Sequence, residues 1–207
     1  MRVCETFRSL QGEGLMIGVP TFFIRTVGCN LACSWCDTGY AAEEGEEMSV
    51  ESILSLVDGS PSICVTGGEP LLQEDMPELI GALLETGRTV VLETNGSLDV
   101  SRVPNGDNLI ISMDIKCPSS GMSDRMMVSN LEHLSGKDQL KFVIGSEEDL
   151  ESAARFLRDH SVPCPVILSP VGGMDLLPLA EGVLSRGMNA RVLPQLHKII
   201  WGDKRSV

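Results

Sequence analysis

Short apolar runs that return at intervals along the chain constrain its fold more than any other feature. Seven runs are rich in β-branched and other apolar residues, as buried strands are. They occupy residues 21–27, 62–66, 88–93, 109–114, 139–144, 165–169 and 190–194. Segments with the apolar period of a helix lie between several of them. Strands that alternate with helices predict a parallel α/β sheet with right-handed crossovers.

Helix-start signals support this alternation. Ser49 and Ser146 each precede a helix-period segment and can cap it, and further segments begin near Met76 and span about 175–186. An eight-unit βα barrel needs about 250 residues, more than the 207 of this chain. We therefore predict one domain, residues 1–207, that forms a partial parallel βα barrel of about six strands with reduced helices.

Composition limits the classes of partner. The chain has 16 basic and 29 acidic side chains, so its net charge is 16 − 29 = −13, which repels nucleic-acid phosphates. It has no membrane-length apolar run and no apolar leader. Its seven cysteines are odd in number and irregularly spaced, which favours a reducing compartment over a disulfide framework. We expect a cytoplasmic protein that binds neither nucleic acid nor membrane.

Polar and glycine-rich motifs follow the predicted strands. The segments "GCNLACSWCDT", "GGEP", "TNG" and "DIKCPSSG" come at or after the first four strands, and "SPVGG" and "QLH" after the last two. The carboxyl ends of parallel strands meet at one face, so these motifs should line a single mouth.

Three cysteines in the first of these motifs point to a metal centre. Cys29, Cys33 and Cys36 have the spacing C-x3-C-x2-C on a predicted loop. Tetrahedral zinc would need a fourth cysteine or histidine, and none lies nearby in the sequence. Three thiolates on a four-iron cluster would leave one iron open for a substrate or cofactor. A structural zinc knuckle and a plain iron–sulfur electron carrier remain alternatives.

The cysteine spacing, Trp35 before the last cysteine and "TGGEP" one unit later resemble the radical S-adenosylmethionine superfamily. The resemblance implies a [4Fe–4S] cluster on the three cysteines, with S-adenosylmethionine bound to the open iron. The implied cofactor contacts are Trp35, Cys36, Asp37, Gly68, Asp114, Ile115 and Lys116. Many members read Ser-Pro-Lys where this chain reads Asp-Ile-Lys, so the lysine carries over and the first residue departs from the common form.

The segment "LQGEG" (10–14) and the closing "PQLHKIIWGDKRSV" resemble, within that superfamily, the enzymes that make 7-carboxy-7-deazaguanine. The resemblance covers the whole chain and implies a carbon–nitrogen lyase. Its substrate would be 6-carboxy-5,6,7,8-tetrahydropterin, converted with loss of ammonia by hydrogen abstraction and ring contraction, in queuosine- or archaeosine-type deazapurine biosynthesis. The implied substrate contacts are Leu10, Gln11, Gly12, Glu13, Arg25, Thr66, His197 and Val207, with the tail 194–207 completing the pocket.

The same resemblance implies Mg²⁺ at the Thr38 hydroxyl and an external electron donor of the flavodoxin or ferredoxin type. We also expect a homodimer, because the exposed strand edges of a partial barrel need cover. One enzymatic alternative is an activase that makes a glycyl radical on a partner protein, because such enzymes share the cysteine spacing and a short barrel. That alternative gives no role to "LQGEG".

Overall fold

The computed structural model describes all 207 residues. Nine strands belong to one sheet: β1 (Arg2–Leu10), β2 (Pro20–Thr26), β3 (Glu46–Glu47), β4 (Ser62–Gly67), β5 (Thr89–Thr94), β6 (Leu109–Ile115), β7 (Gln139–Ile144), β8 (Val166–Pro170) and β9 (Arg191–Val192). The α-helices are α1 (Val50–Leu56), α2 (Met76–Leu84), α3 (Glu147–Asp159), α4 (Leu176–Ser185) and α5 (Leu196–Trp201). Short 3₁₀ segments are Gly14–Met16, Gly39–Ala42, Pro70–Leu72, Val100–Arg102, Pro118–Ser120, Ser123–Arg125 and Val128–His133.

The strand order is β3-β1-β2-β4-β5-β6-β7-β8-β9. From β2 through β4 to β9 every neighbouring pair is parallel, and all seven predicted runs fall on these strands. The last run is shorter than predicted, because β9 has only two residues. The two ends of the sheet do not pair with each other, so the barrel is partial, as predicted, and its parallel part has seven strands where about six were expected.

The first strand, β1, was not predicted. It pairs antiparallel with β2 on one side and with β3 on the other. Because β1 runs against β2, Leu10 at its end lies opposite Pro20, where β2 begins. The segment that follows β1 therefore starts at the end of the barrel opposite the predicted mouth.

Helices cover only the outer face, and several crossovers lack one. Ser49 accepts a hydrogen bond from the Ser52 amide at 3.2 Å and caps α1, as predicted. Ser146 caps α3 in the same way through the Asp149 amide, also at 3.2 Å. The connections from β5 to β6 and from β6 to β7 contain 3₁₀ segments and no α-helix, which confirms the expectation of reduced helices. The longest α-helix has 13 residues, and no helix combines the length and apolar character of a membrane span.

The inner face of the sheet is built in two layers. Phe23, Cys64 and Val91 are register neighbours on β2, β4 and β5 and pack together, away from the main core under the helices. Side chains alternate along a strand, so the next inward residues toward the carboxyl ends are Arg25 on β2 and Thr66 on β4. We call the lower layer, Phe23, Cys64 and Val91, the apolar floor. The polar layer that contains Arg25 and Thr66 lies directly above it.

Candidate active site

A cavity of about 740 Å³ opens above the apolar floor. Every site residue predicted above lines it except Ile115: Leu10, Gln11, Gly12, Glu13, Arg25, Cys29, Cys33, Trp35, Cys36, Asp37, Thr38, Thr66, Gly68, Asp114, Lys116, His197 and Val207. These residues lie on four strands, β1, β2, β4 and β6, or in the segments directly after them, and in the last part of the chain from α5 onward. The cavity is large enough for two small ligands at once.

The cysteine loop leaves β2 and is fixed by its neighbours on several sides. The Glu69 amide donates to the Gly28 carbonyl at 2.8 Å, and the Gly28 amide donates to the Ala41 carbonyl at 2.9 Å. Further along, the Ser34 amide donates to the Ser120 carbonyl at 3.0 Å. The loop is therefore held between the end of β4 and the segment after β6.

The three thiols fit a cluster better than a single metal ion. Cys29 and Cys36 are exposed, Cys33 is half-buried, and none is in a disulfide. No three histidine, cysteine, aspartate or glutamate side chains converge closely enough to hold one ion. A zinc site would need such convergence, with each sulfur about 2.3 Å from the metal. Thiolates that bind separate iron atoms of one cluster need only face a shared space.

Gly68 allows the end of β4 to approach the cysteine loop. A Cβ atom at this position would lie 2.7 Å from the Cys29 Cβ and 2.8 Å from the Gly28 carbonyl carbon. Contacts this short are not tolerated, so only glycine fits here. The Cys29 thiol accepts a hydrogen bond from the Asn95 side-chain amide at 3.8 Å.

Glu69, the next residue, was not assigned a role from the sequence. It is fully buried and accepts hydrogen bonds from the amides of Leu71 and Asn95, at 3.0 and 2.6 Å, and from the Thr94 hydroxyl. Burial raises the pKa of this carboxyl above its ordinary value, and the amide donors oppose that rise. Glu69 ties the ends of β4 and β5 together beneath the cysteine loop.

One wall beside the cysteines is formed by Trp35 and Lys116. The Trp35 Nε1 donates to the Ser119 hydroxyl at 3.1 Å, which fixes the indole. The Lys116 Nζ lies 5.6 Å from the centre of that ring, within cation–π range. Burial raises the pKa of the Cys33 thiol, and the nearby Lys116 charge acts in the opposite direction.

A row of charged side chains crosses the cavity from Lys116 to the segment after β1. The Lys116 Nζ is 2.5 Å from one Asp114 oxygen, and the Lys141 Nζ is 3.3 Å from the other. Lys141 also forms an ion pair with Glu13, whose second oxygen accepts from the Gln195 amide at 2.7 Å. We call Lys116, Asp114, Lys141 and Glu13 the ionic row. Lys141 and Gln195 were not predicted from the sequence.

The ionic row keeps its carboxylates ionised. Burial alone would raise the pKa values of Glu13 and Asp114, but the neighbouring lysines lower both below their ordinary values. For Lys141 the signs are reversed: burial would lower the pKa, and Asp114 and Glu13 raise it well above the usual lysine value. Two cations and two anions therefore alternate along the row.

Arg25 lies on the opposite wall with part of its guanidinium free. Its Nε donates to Glu5 at 2.8 Å, while its two Nη groups make no hydrogen bond within the protein. The side chain is only 16% exposed, and it lines the cavity next to the stacked rings of Phe7 and Phe23, whose centres are 4.9 Å apart. A buried planar donor with two free groups is suited to binding a carboxylate.

The end of the chain folds back over this wall. The Ser206 hydroxyl donates to Glu5 at 2.6 Å, and the Arg205 guanidinium lies 3.7 Å from the centre of the Tyr40 ring. Burial is the main reason that the pKa of Tyr40 is raised to about 12, and the adjacent Glu5 adds to it. Val207 lines the cavity beside them.

His197 packs directly on Gly12. A Cβ atom on Gly12 would lie 3.1 Å from the His197 Cγ, and the Leu196 amide donates to the Gly12 carbonyl at 2.8 Å. The segment after β1 and the start of α5 therefore meet. Gln11 is buried, with its amide donating to Glu93 at 3.1 Å and accepting from the Glu13 amide at 3.2 Å. Both ends of the Gln11 amide thus contact the protein itself, and this side chain positions the segment.

Ile115 and Thr38 differ from the other predicted residues in their surroundings. Ile115 is 5% exposed and packs in the main core, because alternation along β6 turns it away from the inward-facing Asp114. Ile115 can therefore contact a ligand only through its backbone, and its place among the cofactor contacts stays a prediction. The Thr38 hydroxyl donates to the Asp37 carboxylate at 2.9 Å, so these two oxygens lie together at the edge of the cavity.

Comparison with known proteins agrees with this architecture. Residues 23–168, from β2 to β8, match the Radical SAM superfamily. A protein of Thermoplasma acidophilum named 7-carboxy-7-deazaguanine synthase is 37% identical over 205 residues, which cover 98% of each chain. A protein of the same name from Methanospirillum hungatei is 41% identical over 203 residues, covering 97% of this chain and 85% of that one.

Solved structures agree on the fold. The crystal structure of QueE from Escherichia coli superposes with a TM-score of 0.76 at 24% identity and covers 93% of both chains. Streptococcus suis SuiB, bound to its precursor peptide, gives a TM-score of 0.61 at 15% identity over 82% of this chain and 47% of that one. The fold alone thus does not choose between classes of substrate. This chain belongs to the Radical SAM superfamily and, within it, to the 7-carboxy-7-deazaguanine synthase family.

Proposed function

We propose that this chain converts 6-carboxy-5,6,7,8-tetrahydropterin to 7-carboxy-7-deazaguanine and ammonia inside the cavity described above. As a member of its family it is a carbon–nitrogen lyase of deazapurine biosynthesis that uses a [4Fe–4S] cluster and S-adenosylmethionine. The observation that carries the assignment of the site is Arg25, a buried guanidinium with two free Nη groups that lines the same cavity as the three cysteines. The chain acts as a single catalytic domain, in keeping with its one sheet.

Cys29, Cys33 and Cys36 would hold the cluster, since all three thiols line the cavity. When bound, the cluster and S-adenosylmethionine supply the carbon radical that removes a hydrogen atom from the substrate. The chain itself binds and orients both molecules. On the cofactor side it offers the Lys116 ammonium and backbone groups at Gly68 that no side chain shields. The remaining contacts proposed on this side are Trp35, Cys36, Asp37, Asp114 and the backbone of Ile115.

On the substrate side the residues match the parts of a flat carboxylated heterocycle. The Arg25 fork binds the carboxylate, with the Thr66 hydroxyl beside it on β4. The stacked Phe7 and Phe23 rings give the heterocycle an apolar surface. Glu13 accepts hydrogen bonds from the amino-pyrimidine edge. The other contacts proposed on this side are Leu10, Gln11, Gly12, His197 and Val207, with the tail 194–207 closing the pocket.

We place Mg²⁺ at Thr38. Its hydroxyl and the adjacent Asp37 carboxylate supply two oxygens at the edge of the cavity. Mg²⁺ commonly takes one or two protein oxygens and fills its other positions with water and substrate. The substrate carboxylate, held by Arg25, would be such a ligand.

An external electron donor of the flavodoxin or ferredoxin type would approach the exposed side of the cysteine loop, where Cys29 and Cys36 reach the surface.

We also propose a homodimer, although the edge strands β3 and β9 have only two residues each and need little cover. The exposed Leu177 and Leu184 on α4 support the homodimer more directly. Sedimentation at the mass of one chain would contradict it.

The test of the function is anaerobic reconstitution with iron and sulfide, followed by reductant, S-adenosylmethionine, Mg²⁺ and 6-carboxytetrahydropterin. We expect a carboxylated deazaguanine with release of ammonia, both detected by mass spectrometry and enzymatic ammonia assay. The matched control is Arg25→Met, which should keep the cluster and lose most of the product. An intact cluster without product in the unaltered protein would refute the proposal.

A further inference from the structure

Lys141 occupies a position that the proposed contacts do not use. It lies on β7, and its register partner on β6 is Asp114. Its Nζ contacts an oxygen of Asp114 at 3.3 Å and forms an ion pair with Glu13, and its side chain is only 10% exposed. One buried cation thus joins a residue proposed for the cofactor to a residue proposed for the substrate.

The charges of the ionic row depend on one another. Lys116 and Lys141 share Asp114, and Asp114 and Glu13 share Lys141. In a buried site such charges are weakly screened, so a change at one of them alters the balance at the next. Gln195 donates a neutral hydrogen bond to Glu13 and does not replace the charge of Lys141.

An anion bound at Lys116 therefore has an effect at the other end of the row. As Lys116 turns toward that anion, Asp114 keeps Lys141 as its remaining close cation. Lys141 then neutralises less of the charge on Glu13. The Glu13 carboxylate becomes a stronger acceptor for N–H donors that enter the cavity.

We propose that Lys141 is a positioning residue that couples the two halves of the cavity. An anionic group bound at Lys116 strengthens the binding of an N–H-rich heterocycle at Glu13, and the reverse holds by the same factor because binding linkage is reciprocal. This inference rests on the proposed function, since it takes the carboxylate of S-adenosylmethionine as the anion and a pterin as the heterocycle.

The coupling can be measured by binding, without turnover. The probe is 6-carboxypterin, a fluorescent oxidised relative of the substrate, titrated into anaerobic holoprotein with and without S-adenosylmethionine. We expect S-adenosylmethionine to lower the Kd for the pterin about tenfold, within the usual range of coupling between two sites. In Lys141→Met and Lys141→Gln the change should fall below about twofold, because neither side chain carries a charge to share.

Two further variants separate coupling from stability. Lys141→Arg keeps the charge next to an open cavity and should retain the coupling. Lys137→Met removes the same charge from an exposed side chain and should bind as the unaltered protein does. Thermal unfolding identifies the folded variants. If Lys141→Met does not fold, the comparison of Lys141→Gln with Lys141→Arg decides.

Coupling in the unaltered protein and in Lys141→Arg, but not in the neutral variants, supports the inference. The inference is overturned if S-adenosylmethionine leaves the pterin Kd of the unaltered protein unchanged, or if a neutral variant keeps the full coupling. Product formation tests the function separately. A protein that makes the product while Lys141→Gln keeps full coupling retains the proposed function and loses only the role of Lys141.

Discussion

The contact between Gly68 and the cysteine loop gives a sharp prediction for a single methyl group. In Gly68→Ala the new Cβ would meet the Cys29 Cβ at 2.7 Å, with the Gly28 carbonyl carbon at 2.8 Å. Neither neighbour is the movable tip of a long side chain, so β4 and the loop must separate. The cost of such overpacking is about 1–3 kcal/mol, and the backbone contact places it near the upper end.

For a chain of this length, each kcal/mol lowers Tm by about 2–4 °C, so we expect Gly68→Ala to unfold about 6–12 °C earlier. The separated loop should also hold less iron after anaerobic reconstitution, measured as iron and sulfide per chain. The control is Gly81→Ala in α2, where an added Cβ meets no atom within 4 Å. Relative to glycine, alanine inside a helix adds about 0.5–1 kcal/mol, so this control should be slightly more stable.

The result that would refute this reasoning is a Gly68→Ala protein with unchanged Tm and full iron content. Unchanged values would mean that β4 and the loop can separate by several tenths of an ångström without cost. A lower Tm with full iron would assign Gly68 to stability alone and leave the loop geometry independent of it.

Three other predictions follow from the site. Cys33→Ala should abolish the visible absorbance of the reconstituted cluster, whereas Cys164→Ala, which removes a buried thiol outside the cavity, should retain it. Arg25→Lys should raise KM for the pterin about tenfold with a small change in kcat, because an ammonium cannot replace the two Nη donors. Burial favours a raised pKa for Glu5, but the hydrogen bonds from Ser206 and Arg25 outweigh it and lower the pKa below the ordinary value of 4.5. The ionised Glu5 carboxylate therefore stabilises the fold above pH 4.5, and this stabilisation is lost as the pH falls through the lowered pKa. Glu5→Gln should accordingly lessen the fall of Tm between about pH 6 and 3. A Glu5→Gln protein whose Tm falls as steeply as that of the unaltered protein contradicts this prediction.

Local signals in the sequence were enough for the parallel part of the sheet. Buried strands there are continuous apolar runs, and the capping serines 49 and 146 act over three residues, so neither depends on distant parts of the chain. The cysteine spacing and the glycines of "GGEP" are equally local. Parallel topology then brings these segments to one mouth, as the cavity lining confirms.

Strand β1 has no comparable local signal. A bulge between Val3 and Glu5 shifts its register, which interrupts the alternation that marks a strand. One face of β1 carries Glu5, which pairs with Arg25, and Phe7, which lines the cavity, so the strand has no continuous apolar run. The ionic row could not be predicted from the sequence for another reason. Glu13 and Lys141 are 128 positions apart in the sequence, and only the folded sheet brings them into contact.

The antiparallel direction of β1 has a consequence for how this protein can change. Residues 10–13 reach the cavity from beneath, whereas the cysteine loop enters from above, on a different strand and at the opposite end of the barrel. Under the proposed function, substitutions in residues 10–13 should therefore change which heterocycle binds and leave the hydrogen bonds that hold the cysteine loop unchanged. Directed evolution toward new ring systems should begin at that underside.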